Sequence, residues 1–182
     1  TNSTMPWQSK YDSGVDVPKA ATNYNPVGLY RKKFDVDDTL YDAKGRVYLS
    51  FQGVEAAYYV YVNGKEVGYS EDTYSPHSFD ITDYLTPNGQ DNLLAVKVHK
   101  FCDGTWMEDQ DMYYDGGIFR DVYLYSAPLI HMQDYFVTTD LDENYENAVL
   151  NLDLTVANAS DTPASDYKVD VRLYDSKNNM FV

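Results

Sequence analysis

DGTWMEDQDMYYDGGIFRDVYLYSAP, residues Asp103 to Pro128, joins a crowded acidic loop to a strand. Glu108, Asp109, Asp111 and Asp115 fall within eight residues, interleaved with Trp106, Met107, Met112, Tyr113 and Tyr114. A solvated acidic run is not threaded with large apolar side chains. Carboxylates among aromatics must be paired, hydrogen-bonded or bound to a cation, because burying a lone charge is very costly. Aromatic faces beside hydrogen-bonding groups also suit a sugar, which presents apolar C–H faces and a hydroxyl rim. Gly116-Gly117 then lead into a strand predicted over Ile118–Tyr125.

Upstream of this loop, strand-like runs follow one another at short spacing, as in an all-β sandwich. They are Leu29–Val36, Arg46–Val54, Ala56–Val62, Lys65–Tyr69 and Leu93–Lys100. Val47, Leu49 and Phe51 alternate onto one face. Asn63-Gly64 is a two-residue hairpin loop in which both positions need φ > 0. Thr86-Pro87-Asn88-Gly89 marks a turn, and Asp83-Tyr84-Leu85 closes a short helical turn. Residues 1–26 carry Pro6, Pro18 and Pro26 with little periodicity and read as an irregular arm. No long 3.6-period segment and no fixed-period repeat is present.

Ser126-Ala127-Pro128 reads as a boundary. Beyond it, runs at Tyr135–Thr139, Ala148–Ala157 and Tyr167–Tyr174 predict further strands. An immunoglobulin-like sandwich takes about seven strands and ~100 residues, of which residues 129–182 supply about half. The second module is therefore expected to be partial.

Composition narrows the partners. The chain has 182 residues, 43% of them apolar, with 19 tyrosines and a formal charge of −15. That charge argues against nucleic acid or an anionic membrane as partner. No run approaches the ~18 apolar residues of a membrane helix. The single cysteine, Cys102, excludes an internal disulfide framework and reads as a small half-buried hydrophobe. His77, His99 and His131 lack metal-ligand spacing, and Asp109-x-Asp111 lacks the glycine and distal glutamate of an EF-hand.

EDQDM (108–112) followed by GGIFRDVYL (116–124) resembles the end of the N-terminal sugar-binding domain of glycoside hydrolase family 2, and within it the large lac-type β-galactosidases. The resemblance continues in FDV (34–36), FQGVEAAYYVYVNGKEVGYSED (51–72), FDIT (79–82) and NLLAVKV (92–98). Thr1-Asn2 matches a TN pair that precedes the domain in these enzymes, although the arm from Thr4 to Gly28 is several residues longer than the family pattern. The resemblance implies an all-β chain: a jelly-roll sandwich over 1–128, including the arm 1–26, then the start of an immunoglobulin-like sandwich over 129–182. It also implies a parent that is a cytoplasmic, homo-oligomeric, retaining β-galactosidase, using sodium and magnesium, with its catalytic (β/α)₈ barrel in the remainder of the polypeptide.

Site residues follow from the same match. Asp111 corresponds to an aspartate that reaches the substrate, coordinating sodium and the galactose 6-hydroxyl. Asn2 corresponds to an asparagine that touches substrate. Read from the residues alone, Asp111 also serves as a cap for its own loop. Asp109 and Asp111, two apart, point to opposite faces of an extended segment. They are thus not the acid and nucleophile pair of a retaining hydrolase, and no complete active site is expected in this chain. Arg120 falls on the face of Ile118, Val122 and Leu124, where an arginine needs a partner; Glu108 and Asp109 are read as structural, supplying that partner. Trp106 and Tyr113 read either as sugar platforms or as packing for the loop. Two other readings stay open: a free-standing carbohydrate-binding module, and a sibling β-glucuronidase or β-mannosidase.

Overall fold

A computed structural model describes residues 25–41, 45–106, 108 and 115–180. The chain divides into two compact units, Thr1–Pro128 and Leu129–Val182.

In the first unit the described residues form β-strands and two short 3₁₀ turns, with no α-helix. The strands are β1 (Val27–Phe34), β2 (Gly45–Phe51), β3 (Val54–Glu55), β4 (Ala57–Val62), β5 (Lys65–Ser70), β6 (His77–Asp80), β7 (Asn92–His99), β8 (Gly117–Ile118) and β9 (Val122–Pro128). They pair antiparallel in the orders β1-β7-β4-β5, β6-β2-β9 and β3-β8. Alternation decides which side chains enter the core. Val47, Leu49 and Phe51 of β2 are buried, as are Tyr58, Val60 and Val62 of β4 and Val96 and Val98 of β7. These residues form one cluster with Val36, Val54, Phe79 and Ile81, which makes the unit a β-sandwich.

The Asn63-Gly64 hairpin is present: φ is 52° and 80°, and Val62 pairs with Lys65 across the turn. Asn63 does more than turn the chain. Its Oδ1 accepts the Leu93 N–H at 2.8 Å, and its Nδ2 donates to Tyr84 O at 2.9 Å and Asn92 Oδ1 at 2.8 Å. Asn92, fully buried, also accepts the Thr86 N–H and donates to Gly89 O. The buried amide is thereby satisfied, as burial requires. A Cβ at Gly64 would meet nothing within 4 Å, so a side chain there costs only backbone strain. Gly64→Val is expected to destabilise the chain by roughly 1–2 kcal/mol, the cost of a β-branched residue at left-handed φ. An unchanged urea midpoint would contradict this.

The strand predicted over Ile118–Tyr125 is interrupted. It divides into β8 and β9, with Phe119–Asp121 between them. The facing strand breaks at the same level, at Gln52-Gly53, where Gln52 N–H donates to Asp121 O and Phe119 N–H to Gly53 O. A Cβ on Gly53 would lie 2.8 Å from the Phe119 ring and 2.9 Å from Arg120 Cδ, so a larger residue here would force these side chains to shift. The predicted helical turn appears as a 3₁₀ turn over Thr82–Tyr84.

In the second unit β10 (Ile130–Leu141) and β11 (Ala148–Asn158) form a long antiparallel hairpin with a bulge between Met132 and Asp134. Asp142 closes its loop by accepting the N–H groups of Asn144, Glu146 and Asn147 and the Asn147 side-chain amide. Tyr167–Tyr174, predicted as a strand, is not one; it contributes only the bridge Tyr174–Met180. Tyr135, Phe136, Leu141 and Val149 are exposed.

Candidate functional site

The chain enters the acidic loop through a tight turn. Asn25 brackets its start, donating to Phe101 O at 2.8 Å and accepting the Phe101 N–H at 3.0 Å. Thr105, buried, accepts the Cys102 N–H at 3.0 Å, and the Cys102 thiol lies 3.5 Å from its hydroxyl. Burial pushes the Cys102 thiol above its ordinary value. A 3₁₀ turn spans Gly104–Trp106, and Glu108 N–H donates back to Gly104 O.

Glu108 is tied to the neighbouring 72–75 turn. Its carboxylate accepts the Thr73 hydroxyl at 2.8 Å and the Thr73 N–H at 3.5 Å, and Thr73 is 1% exposed. Asp72 accepts the Ser75 N–H at 3.1 Å, which holds its carboxyl below the ordinary range. Asn2, Asp109, Asp111 and Tyr113 lie outside the described residues, as does the Trp106 side chain.

Arg120 does not sit on an apolar strand face, because the chain leaves the sheet at Phe119–Asp121. Its Nη1 donates to Tyr74 O at 2.8 Å and Gln52 O at 3.3 Å, and its guanidinium lies 5.2 Å from the Phe119 ring centre. The residue is exposed. Arg120 therefore ties the 72–75 turn to the break after β2 through two carbonyls; Asp109, one of the partners expected for it, lies outside the described residues.

One carboxylate of the site is absent from the sequence-based expectations. Glu55, 7% exposed in β3, accepts the Gly116 N–H at 2.8 Å. A glutamate between Val54 and Ala56-Ala57 carries no motif, and its partner is distant in sequence, so pattern reading misses it. The FQGVEAAYY run contained the signal: a charged residue in the middle of a core strand needs a partner. Burial raises its carboxyl above the ordinary glutamate value; the Gly116 N–H opposes this, Asp115 adds to it, and Lys100 opposes it. A carboxyl raised on folding gives the folded state more bound protons. Its stabilising contribution is full below the unfolded value of about 4.3 and is lost as pH rises through the folded pKa. Wild type is thus expected to lose stability relative to Glu55→Gln as pH rises from 4 to 7. Parallel urea midpoints across that range would contradict it.

For metals, Glu71, Cys102 and Asp103 bring ligand atoms within 4.8 Å of one another. The Tyr69 hydroxyl already donates to Glu71 at 2.7 Å. A thiol among carboxylates does not match the all-oxygen octahedral shell of magnesium. The histidines lie in three different strands, β6, β7 and β10. His77 packs on Phe79, and burial lowers the His99 value. Edge strands β1 and β9 flank a cleft of about 400 Å³, lined mainly by Phe34, Leu49, Phe51, Leu94, Val96 and Leu124. Its floor is apolar, and Tyr30, Arg31, Lys32 and Tyr123 also line it. Among the described residues no helix is long and apolar enough to cross a membrane.

Residues 4–128 match the family described as glycosyl hydrolases family 2, sugar binding domain. The chain is 44% identical over 176 residues to a β-galactosidase of Priestia megaterium, covering 97% of this chain and 16% of that protein. It is 46% identical over 169 residues to a β-galactosidase of Clostridium acetobutylicum, covering 93% and 18%. The chain thus spans less than a fifth of the length of these relatives. Among solved structures, a Bacteroides uniformis β-glucuronidase aligns with TM-score 0.61 and 28% identity, covering 71% of this chain and 16% of that one. A Parabacteroides merdae β-glucuronidase aligns with TM-score 0.71 at 20% identity, covering 87% and 21%, a likeness of fold. The chain belongs to glycosyl hydrolase family 2, and residues 4–128 are its sugar-binding domain.

Proposed function

We propose that this chain is the sugar-binding portion of a retaining β-galactosidase that hydrolyses terminal β-D-galactosides such as lactose. The supporting observation is the EDQDM loop at 108–112, within a chain 44–46% identical to proteins named β-galactosidase. In this reading Asp111 and Asn2 bind the non-reducing sugar. Asp111 accepts a hydrogen bond from the 6-hydroxyl and offers a hard oxygen ligand to sodium. The reacting carboxylates, about 5–5.5 Å apart in a retaining enzyme, come from a barrel elsewhere in the longer, homo-oligomeric, cytoplasmic polypeptide. The isolated chain then turns over no chromogenic β-galactoside.

A glucuronidase reading draws on the β-glucuronidase structures that share this fold. Asp111 argues against it. A glucuronide carries a carboxylate at C6, and an aspartate facing it sets like charges together, which disfavours that substrate. The test is kcat/KM of the longer enzyme on nitrophenyl β-galactoside, β-glucuronide and β-mannoside. The galactoside is expected to lead by roughly 100-fold or more, as unpaired polar groups penalise the wrong sugar. A preference for the glucuronide would overturn the reading.

A further inference from the structure

We propose that the outer face of the β6-β2-β9 sheet binds an uncharged saccharide, with a sugar ring stacked on Tyr123 and its hydroxyls bonded to Gln52 and Ser78. The site draws on no residue of the acidic loop, so it stands whether or not Asp111 touches substrate.

Val47, Leu49 and Phe51 enter the core, so Tyr48, Ser50 and Gln52 face outward. Strand pairing lines up two rows across this face: Asp80, Tyr48 and Tyr125, then Ser78, Ser50 and Tyr123. In the first row Tyr48 stacks on Tyr125, with ring centres 5.1 Å apart and planes at 15°. Beside it Arg46 pairs with Asp80 at 2.6 Å and Asp83 at 2.8 Å, a charged rim whose members are already partnered. In the second row the Ser78 hydroxyl donates to Ser50 Oγ at 3.0 Å, and Ser50 is 2% exposed. Gln52 Nε2 donates to the same Ser50 Oγ at 2.8 Å and to the Tyr123 hydroxyl at 3.1 Å. The Gln52 backbone is fixed as well: its N–H donates to Asp121 O and its carbonyl accepts Arg120 Nη1.

Cross-strand aromatic packing accounts for the Tyr48–Tyr125 pair. It does not account for Tyr123, whose opposite residue is the small Ser50. The Tyr123 ring is 47% exposed, and its centre lies 6.2 Å from that of Tyr125, so the aromatic surface continues along the open edge strand β9. Ordering an exposed side chain costs entropy with little burial to offset it. Here a buried serine and a fixed amide order it nonetheless. That is what a binding platform requires, because a group held in place beforehand loses less freedom when a ligand arrives. The chemistry around the ring suits a sugar, whose C–H face packs on an aromatic ring while its hydroxyl rim meets polar groups. Among the described residues none donates to Gln52 Oε1, which leaves an acceptor for a sugar hydroxyl beside the ring. Ser78 is exposed and adds a hydroxyl that can both donate and accept. Ser50, Gln52, Ser78 and Tyr123 are all uncharged side chains, which matches a neutral sugar rather than a uronate.

The test is a titration of the 182-residue chain with lactose and with β-1,4-galactotetraose, followed through backbone amide shifts. Saturable shifts are expected at Ser50, Gln52, Tyr123 and Tyr125, with tighter binding of the tetraose, which is long enough to cover both exposed rings. Tyr123→Ala is expected to weaken tetraose binding roughly tenfold, the order of one well-placed aromatic contact. Gln52→Ala, which removes the amide but leaves the ring, is expected to weaken it roughly fivefold, and it carries the test should Tyr123→Ala lose a dispersed spectrum. Tyr69→Ala, which removes a tyrosine 41% exposed on β5 of the other sheet, is expected to leave the affinity unchanged. Absence of saturable shifts with either sugar, shifts that map elsewhere (the acidic loop included), or equal weakening by Tyr69→Ala and Tyr123→Ala would overturn the site. So would a concentration-dependent dimer in sedimentation velocity that Tyr123→Ala breaks while no sugar shifts are seen, which would make this face a contact between copies of the chain.

Discussion

Phe51→Ala is expected to destabilise the sandwich by about 3–5 kcal/mol, the usual cost of truncating a buried aromatic. Phe51 is 1% exposed and joins the two layers of the core. Its ring centre lies 5.0 Å from Tyr58 in β4 and 6.1 Å from Phe79 in β6, and Tyr58 and Phe79 are 6.0 Å apart. Inter-ring angles of 51°, 83° and 82° are the tilted and edge-on geometries that aromatic quadrupoles favour. Phe79 lies against Gly68, where a Cβ would come within 2.7 Å of its ring. Burial also pushes the Tyr58 hydroxyl up to about 12. The cavity would open toward the cleft between β1 and β9, whose wall Phe51 forms. Near-UV circular dichroism against urea reads the effect; a loss below about 1 kcal/mol would mean the three rings do not form the centre of the core.

Much of the fold was legible. β2, β4 and β7 announce themselves by alternation, and the Asn63-Gly64 turn by its need for positive φ, because these rules are local. What was missed is non-local. The strand over Ile118–Tyr125 alternates well, and its interruption becomes visible only against Gln52-Gly53 on the facing strand. β6 has only four residues, too few to show a period. Tyr167–Tyr174 has a strand-like pattern without a ladder among the described residues, since alternation specifies a face and not a partner. Arg120 was placed by extending a strand that ends before it. At the site, the acidic loop stood out through its composition, whereas Glu55 required knowing that Gly116 lies beside β3.

Asp111→Asn in the longer enzyme is expected to lower kcat/KM on β-galactosides by roughly 10- to 100-fold. A hydrogen bond to a charged group is worth about 1.5–3 kcal/mol, and each 1.4 kcal/mol is about tenfold. The substitution keeps the shape and one acceptor oxygen. It removes the charge and with it, on the proposed reading, the strength of the bond to the 6-hydroxyl and the attraction for sodium. In a closed site that charge acts with little screening; in the isolated domain, open to water, the same contact gains almost nothing. The loss should therefore depend on whether the substrate has a 6-hydroxyl. The decisive measurement is kcat/KM for wild type and Asp111→Asn on nitrophenyl β-galactoside and on its 6-deoxy analogue. A large loss on the galactoside with a much smaller one on the 6-deoxy sugar is the predicted result; equal losses on the two, or none on either, would contradict the assignment of this domain to recognition of the galactose 6-hydroxyl.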